Sequence, residues 1–273
     1  MIQEYLIYLR SIKGYSENTI RAYGNDLRTF VRYCYKQDKT IRWSTITRAH
    51  IDDYIIHLSN TNHRPATLCR HISSIEGIFD YMKREGYDIA NPARYETRPK
   101  KAETQPNTIP IEDIKQAIIK STGDTKLLLK LLATTGIRIQ EALDIEQCDI
   151  DYQGKTLKIH GKGMKERKVY LTDDIIEALK QKRELGHIKA FQYIDQRHAR
   201  SEIYAALRGN TTAKQQSPHA IRHTYATTMA QRGMTATTLQ KLLGHNQLNT
   251  TQKYIDAAQI QIEKEARALC ALG

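Results

Sequence analysis

The sequence predicts a mainly α fold in two parts: an N-terminal helical bundle, then a mixed α/β domain holding a small three-stranded antiparallel sheet. Three observations carry this. Apolar side chains recur at helical spacing through the first 90 residues. Residues 91–110 then hold four prolines and few large apolar groups, the composition of a linker. Beyond them helical spacing returns, interrupted once, over 146–171, by short β-prone runs broken at Gly154, Gly161 and Gly163.

Each element has its own signal. Ile2, Tyr5, Leu6 and Leu9 define a first helix that Gly14 breaks, and Ser16 is placed to cap a second, with Ile20, Tyr23, Leu27, Phe30 and Val31 on one face. Thr47 can cap a third, carrying Ile51, Tyr54, Ile55 and Leu58. Pro65 suits the first turn of a fourth, whose stripe is Leu68, Ile72, Ile75, Phe79 and Met82 before Gly86. These stripes are core. The expected organisation is a helical domain over 1–90, an extended, exposed linker over 91–110, and a second domain over 111–273. That second domain has helices near 111–121 and 125–135 (ended by Gly136), 173–185, 199–207, 218–232, 235–243 and 250–256, and an amphipathic tail over 258–272.

Composition narrows the function. The formal net charge is +12, with 16 basic against 11 acidic residues in 1–100 and 26 against 19 in the rest. A basic excess shared by both halves suits a protein that wraps a polyanion, because each neutralised phosphate releases counterions. No apolar run is long enough to span a bilayer, and the N-terminus lacks the pattern of a secretory signal, so no membrane association and a cytoplasmic location are expected. The scattered Cys34, Cys69, Cys148 and Cys270 form no C-x-x-C pair, so buried reduced thiols are expected in place of a disulfide framework or a zinc knuckle.

The chemistry concentrates in the second half. Tyr254 stands nine residues after His245 in L-L-G-H-N-Q-L-N-T-T-Q-K-Y, and His219 and Arg222 lie upstream in S-P-H-A-I-R-H. Arg138 sits in T-G-I-R-I-Q-E-A-L, and Lys162 in H-G-K-G-M-K-E-R-K-V on a turn between two expected strands. Breaking a phosphodiester without water or metal needs a nucleophile, fixed cations at the non-bridging oxygens and a proton for the leaving oxygen. A phenol serves as nucleophile and as leaving group for the reverse step, so the bond energy is kept in a covalent phosphotyrosine. Two guanidiniums, Arg138 and Arg222, can each clamp two phosphate oxygens where an ammonium could not. His245 is suited to donate a hydrogen bond to a non-bridging oxygen. Lys165, Arg167 and Lys168 compete with Lys162 on the hairpin and are read as phosphate-backbone contacts. His219 and His223, one helical turn apart, could instead pair on a metal, but the glutamate of H-E-x-x-H is absent.

This constellation resembles the tyrosine recombinase (lambda-integrase) family, in particular its simple Xer-like members, and the resemblance covers nearly the whole chain. It implies that Tyr254 is the nucleophile and that Arg138, Arg222, His219 and His245 surround the phosphate, with His219 a hydrogen-bonding or proton-accepting partner of the phosphate and the tyrosine. Lys162 would protonate the departing 5′ oxygen, Glu141 would support the site, and His223 would be structural. Gln140 departs from the serine usual before the acid. The first domain would be a SAM-like core-binding domain, with no arm-binding domain before it, and the tail an exchange helix docking on a neighbouring protomer. The resemblance implies C-shaped protomers, four of which synapse two duplexes carrying inverted-repeat core sites. Strand exchange would pass through a 3′-phosphotyrosyl link and a Holliday junction, without metal or other cofactor. A second recombinase or an accessory DNA-bending protein is compatible with it. The alternatives are a type IB-like topoisomerase and a DNA-binding module with decayed catalysis.

Overall fold

The structure, a computed structural model, describes residues 1–94, 97–99, 106–161, 166–244 and 251–259. The chain forms two compact units, Met1–Glu103 and Thr104–Gly273.

The first unit is helical: α1 (Ile2–Ser11), α2 (Glu17–Gln37), a 3-10 turn (Trp43–Thr45), α3 (Arg48–Asn60) and α4 (Pro65–Arg84). Ser16 caps α2 by accepting the Thr19 N–H, and Pro65 opens α4, where a missing N–H costs nothing. Leu27, Phe30, Ile51, Tyr54, Ile75 and Phe79 are buried together, whereas the flank residues Tyr23, Val31 and Ile55 are only half-buried. Fully burying one such aliphatic or aromatic side chain contributes about 1.5–3 kcal/mol.

A polar chain crosses this core. Arg70 on α4 donates Nε and Nη2 to the buried carboxylate of Asp26 at 2.8 and 2.9 Å. His71 Nε2 lies 3.2 Å from the same carboxylate, and its Nδ1 lies 2.9 Å from Tyr54 Oη. Burial lowers the His71 pKa, outweighing the opposing pull of Asp26.

The segment expected to be an exposed linker is anchored at both ends. Asn91 donates to Glu76 O and Asp80 on α4, Ala93 is buried, and Arg98 pairs with Glu76 at 2.6 Å. At the other end, Ile109 is buried and both its backbone N–H and C=O bond to Thr224 Oγ1. Proline removes donors and blocks helix, but it does not prevent the residues between from packing.

The second unit contains α5 (Ile111–Lys120), α6 (Gly123–Thr135), α7 (Ile139–Leu143), β1 (Ile150–Asp151), β2 (Thr156–His160) and β3 (Glu166–Tyr170). There follow α8 (Asp173–Glu184), α9 (Gln196–Arg208), α10 (Pro218–Gln231) and α11 (Ala236–Leu243), and a helix over 251–259, here α12. The strands pair antiparallel in the order β1-β2-β3, with Leu157 facing Val169 and Lys158 facing Lys168. The β1–β2 turn closes where Asp151 Oδ1 accepts the N–H groups of Gln153 and Gly154. The five-residue α7 was not foreseen, because it is too short to show a period.

Leu128, Leu132, Ile137, Leu157, Ile175, Ile203 and Ile221 belong to the main core, and a smaller cluster joins α10, α11 and α12 through Tyr225, Leu239, Leu243, Tyr254 and Ala258. Cys34 and Cys69 are buried free thiols, while Cys148, expected inside, is exposed on the 3-10 turn Gln147–Asp149. Among the described residues no helix is long and apolar enough to cross a membrane.

Trp43, the one tryptophan, packs edge-on against Phe79 at 5.6 Å and so reports on the first unit. With the folded-state pKa of His71 depressed, its stabilising contribution is intact above the unfolded value of about 6.5 and is lost as pH falls from there through the folded value. Denaturant unfolding followed by Trp43 fluorescence is expected to show falling stability from pH 7 to 5, and His71→Gln is expected to flatten that slope. An unchanged slope in the variant would show that other groups set it.

Candidate active site

Three guanidiniums from three elements meet at one carboxylate. Arg138 stands at the N-cap of α7 and donates its backbone N–H to Glu141 Oε2 at 2.7 Å and its Nη1 to Oε1 at 2.8 Å. Arg167, on β3, donates Nη2 to Oε2 at 2.7 Å and Nη1 to Oε1 at 3.1 Å. Arg222, on α10, brings Nη1 to 4.0 Å from Oε2.

The same three arginines hold the end of α11. Arg167 Nε donates to Leu242 O at 2.8 Å, Arg222 Nη2 to Leu243 O at 2.6 Å and Arg138 Nη2 to Gly244 O at 3.3 Å. A helix C-terminus leaves its last carbonyls unpaired and carries a partial negative charge, so consecutive carbonyls receiving three cations satisfy both at once. Arg222 Nη1 also donates to Gly136 O at 2.6 Å. Gly136 and Gly244 both adopt positive φ, at 63° and 65°. A Cβ on Gly136 would fall 2.3 Å from the Tyr225 ring, and one on Gly244 2.9 Å from Arg167 Nη1, so bare backbone is required at both places.

Burial works to raise the Glu141 pKa, but the Arg167 hydrogen bonds, the Arg138 N–H and the two charges outweigh it, and the carboxyl lies below its ordinary value. Arg222, 1% exposed, is pushed down to about 10 by burial and by the Arg138 charge, and so stays protonated at neutral pH.

Tyr254 is 2% exposed on α12, and its Oη lies 2.6 Å from His223 Nδ1. Burial, then the charges of His219, Lys253 and Arg222, lower the His223 pKa to about 4. The imidazole is therefore neutral at pH 7 and can accept from the phenol. Burial raises the Tyr254 pKa against the opposing charges of Arg222 and Arg138, which keeps the phenol protonated. The contact with the tyrosine, expected of His219, is thus made by His223, which was expected to be structural. His219 lies one turn earlier on α10, its ring packed at 4.6 Å on that of His223. Sequence spacing puts both histidines on one face but does not say which turn of that face meets α12.

Arg138, His219 and Arg222 line a common cavity of about 380 Å³, together with Gln196, Arg200 and Tyr204 of α9 and the residues leading into α10. Lys162, Lys165 and His245 lie outside the described residues. Arg167, expected at the phosphate backbone, turns inward. Side chains on a strand alternate, so Arg167 and Val169 face the interior while Lys168 faces solvent, and the two basic residues cannot share one role. That alternation was the available signal. Among the described residues no three His, Cys, Asp or Glu side chains are grouped to hold a metal ion.

Permanent cations around this cavity, with a histidine-bonded phenol on an adjoining helix, form a setting suited to holding an anionic group. Comparison with known proteins places it. Residues 110–260 match the phage integrase family, and residues 2–86 match the phage integrase N-terminal SAM-like domain. The chain is 30% identical to tyrosine recombinase XerC of Myxococcus xanthus over 97% of its own length and 95% of that protein. It is 28% identical to tyrosine recombinase XerD of Oceanobacillus iheyensis, over 96% and 95%. In fold it resembles the XerH site-specific recombinase in a post-cleavage complex with palindromic difH substrate (TM-score 0.77, 21% identity, 97% of this chain and 84% of that one). It also resembles a lambda integrase dimer bound to a COC′ core site (TM-score 0.70, 17% identity, 93% and 75%). The chain belongs to the phage integrase family. It is a site-specific tyrosine recombinase, with a SAM-like helical unit ahead of a catalytic unit.

Replacing Glu141 with Gln leaves three guanidiniums around a neutral amide, and breaking a buried charge pair of this kind costs about 3–5 kcal/mol. Because the folded pKa of Glu141 is depressed, its contribution is present above the unfolded value and lost as pH falls through the folded one. Thermal unfolding of Glu141→Gln at pH 7 is expected to show a catalytic unit destabilised by about that amount, with a weaker loss of stability below pH about 4.5 than the parent. A melting curve matching the parent at both pH values would remove Glu141 from its central place.

Proposed function

We propose that this recombinase cuts and rejoins duplex DNA at an inverted-repeat core site, with Tyr254 as the nucleophile. The observation that carries the reading is the shared cavity of Arg138, His219 and Arg222 in a unit where Tyr254 is already hydrogen-bonded to a neutral histidine. Arg138 and Arg222 hold the non-bridging oxygens of the scissile phosphate. Arg222 spends two of its five N–H groups on carbonyls, which leaves donors for the substrate. Entry of the phosphate brings negative charge beside the histidines and raises their pKa values, so His223 or His219 can take the phenolic proton as the Tyr254 Oη–P bond forms. The P–O5′ bond breaks as Lys162 donates a proton to the leaving oxygen, and His245 donates a hydrogen bond to a non-bridging oxygen. The products are a 3′-phosphotyrosyl link and a 5′ hydroxyl. Attack by the 5′ hydroxyl of a partner strand reverses the chemistry, and two such exchanges pass through a Holliday junction.

Four copies on two sites complete the reaction, with Lys168 at the phosphate backbone and a second recombinase or a DNA-bending protein as further partners. The relatives solved with difH and COC′ DNA support the duplex partner. Tetramer formation is supported by a groove of about 350 Å³ between α5, α6 and α10, lined by Ile114, Ile118, Tyr225 and Met229. It suits apolar side chains such as Ile260, Ile262, Ala266 and Leu269 from a neighbouring copy, a segment outside the described residues. The reaction is one of cytoplasmic DNA.

Tyr254→Phe is expected to bind core-site DNA, a nicked duplex carrying the inverted repeats beside its gene, with near-parental affinity. It is expected to form no covalent adduct in a denaturing gel. Adduct formation by the variant would remove Tyr254 from the nucleophile's place.

A further inference from the structure

The cavity beside the arginine cluster has a wall that strand cleavage as described does not use. On α9, Ala199, Ile203 and Leu207 form the buried row. Gln196, Arg200 and Tyr204, each four residues apart, form the neighbouring row, and all three line the cavity together with Arg138, His219 and Arg222. Arg200 and Tyr204 are exposed.

We propose that Arg200 binds the DNA phosphate next to the one under attack, with Tyr204 and Gln196 as additional hydrogen-bond donors. The inference rests on the strand-cleavage reading above. Its basis is a surplus of charge. No carboxylate lines the cavity among the described residues. Arg138, Arg167 and Arg222 surround Glu141, which leaves two net positive charges around the reacting centre. Those match the two negative charges of the phosphorane formed when a phenolate adds to a phosphodiester. A further guanidinium is not needed there, yet Arg200 is close enough to be one of the charges that, after burial, Arg222, Lys253 and Arg138, lower the His219 pKa.

Arg138 and Arg222 are tied to protein acceptors, whereas Arg200 has no ion pair or hydrogen bond among the described residues. The acid nearest it in sequence on α9, Glu202, accepts instead from Thr125 at 3.3 Å. Like charges sharing a cavity repel until an anion enters. A DNA strand threaded past Arg138 and Arg222 carries its next phosphate with it, and a guanidinium, a phenol and an amide are side chains that hold phosphate oxygens and fix register.

The test is a scan of single methylphosphonates, which remove the charge of one phosphate at a time, in nicked core-site DNA, read as the rate of covalent adduct formation. On unmodified DNA, Arg200→Ala and Arg200→Gln are expected to react roughly tenfold more slowly than the parent, the effect of one charged hydrogen bond. At one phosphate flanking the scissile position the parent is expected to lose a similar factor, while the two variants lose nothing more. Losses that multiply at every position, or variants as fast as the parent, would overturn the contact. If the parent forms no adduct on any of these DNAs, the strand-cleavage reading itself fails, and the role of Arg200 with it.

Discussion

The Glu141 carboxylate is the point on which the catalytic unit turns. Three guanidiniums close together repel one another, and each is expensive to take out of water. A single buried carboxylate that receives four hydrogen bonds from Arg138 and Arg167 and faces Arg222 at 4.0 Å makes their proximity tolerable. It does so without filling the cavity side of Arg138 or Arg222, so the cations are already fixed where they line the cavity. Cations held in this way need no reorganisation if negative charge develops on a group in the cavity.

The same contacts tie the cations to the segment that leads to His245 and Tyr254. The carbonyls of Leu242, Leu243 and Gly244 each accept from a different arginine of the cluster. His245 follows directly, and α12 with Tyr254 packs on α10 and α11 through Leu239, Leu243 and Ala258. Gly136 works from the other side: its left-handed backbone ends α6, turns a carbonyl to Arg222 and leaves room for Tyr225. A change at Glu141, Gly136 or Gly244 is therefore felt at the site without touching substrate.

Much of this was legible in the sequence because it depends on local pattern. The four N-terminal helices follow from stripes such as Ile51, Tyr54 and Leu58, and the sheet from a change of period at 146–171. The mainly α class, the helical first unit and the small antiparallel sheet all appear as expected. What was not legible depends on which face meets which. Arg167 looked like one more basic residue of a hairpin, and only the pairing of β3 with β2 turns it toward Glu141. His223 and His219 share a helix face, and only the packing of α12 selects His223 for the tyrosine. The packed ends of 91–110 escaped notice because proline content speaks of backbone donors, while Ala93 and Ile109 are buried by side-chain contact.

The most direct measurement is the chemical identity of the covalent link. Adduct trapped on nicked core-site DNA, digested with protease and nuclease and sequenced by tandem mass spectrometry, should yield one peptide bearing a nucleotide 3′-phosphate on the Tyr254 oxygen, with the released strand ending in a 5′ hydroxyl. A link at any other side chain, or through a 5′-phosphate, would contradict the account.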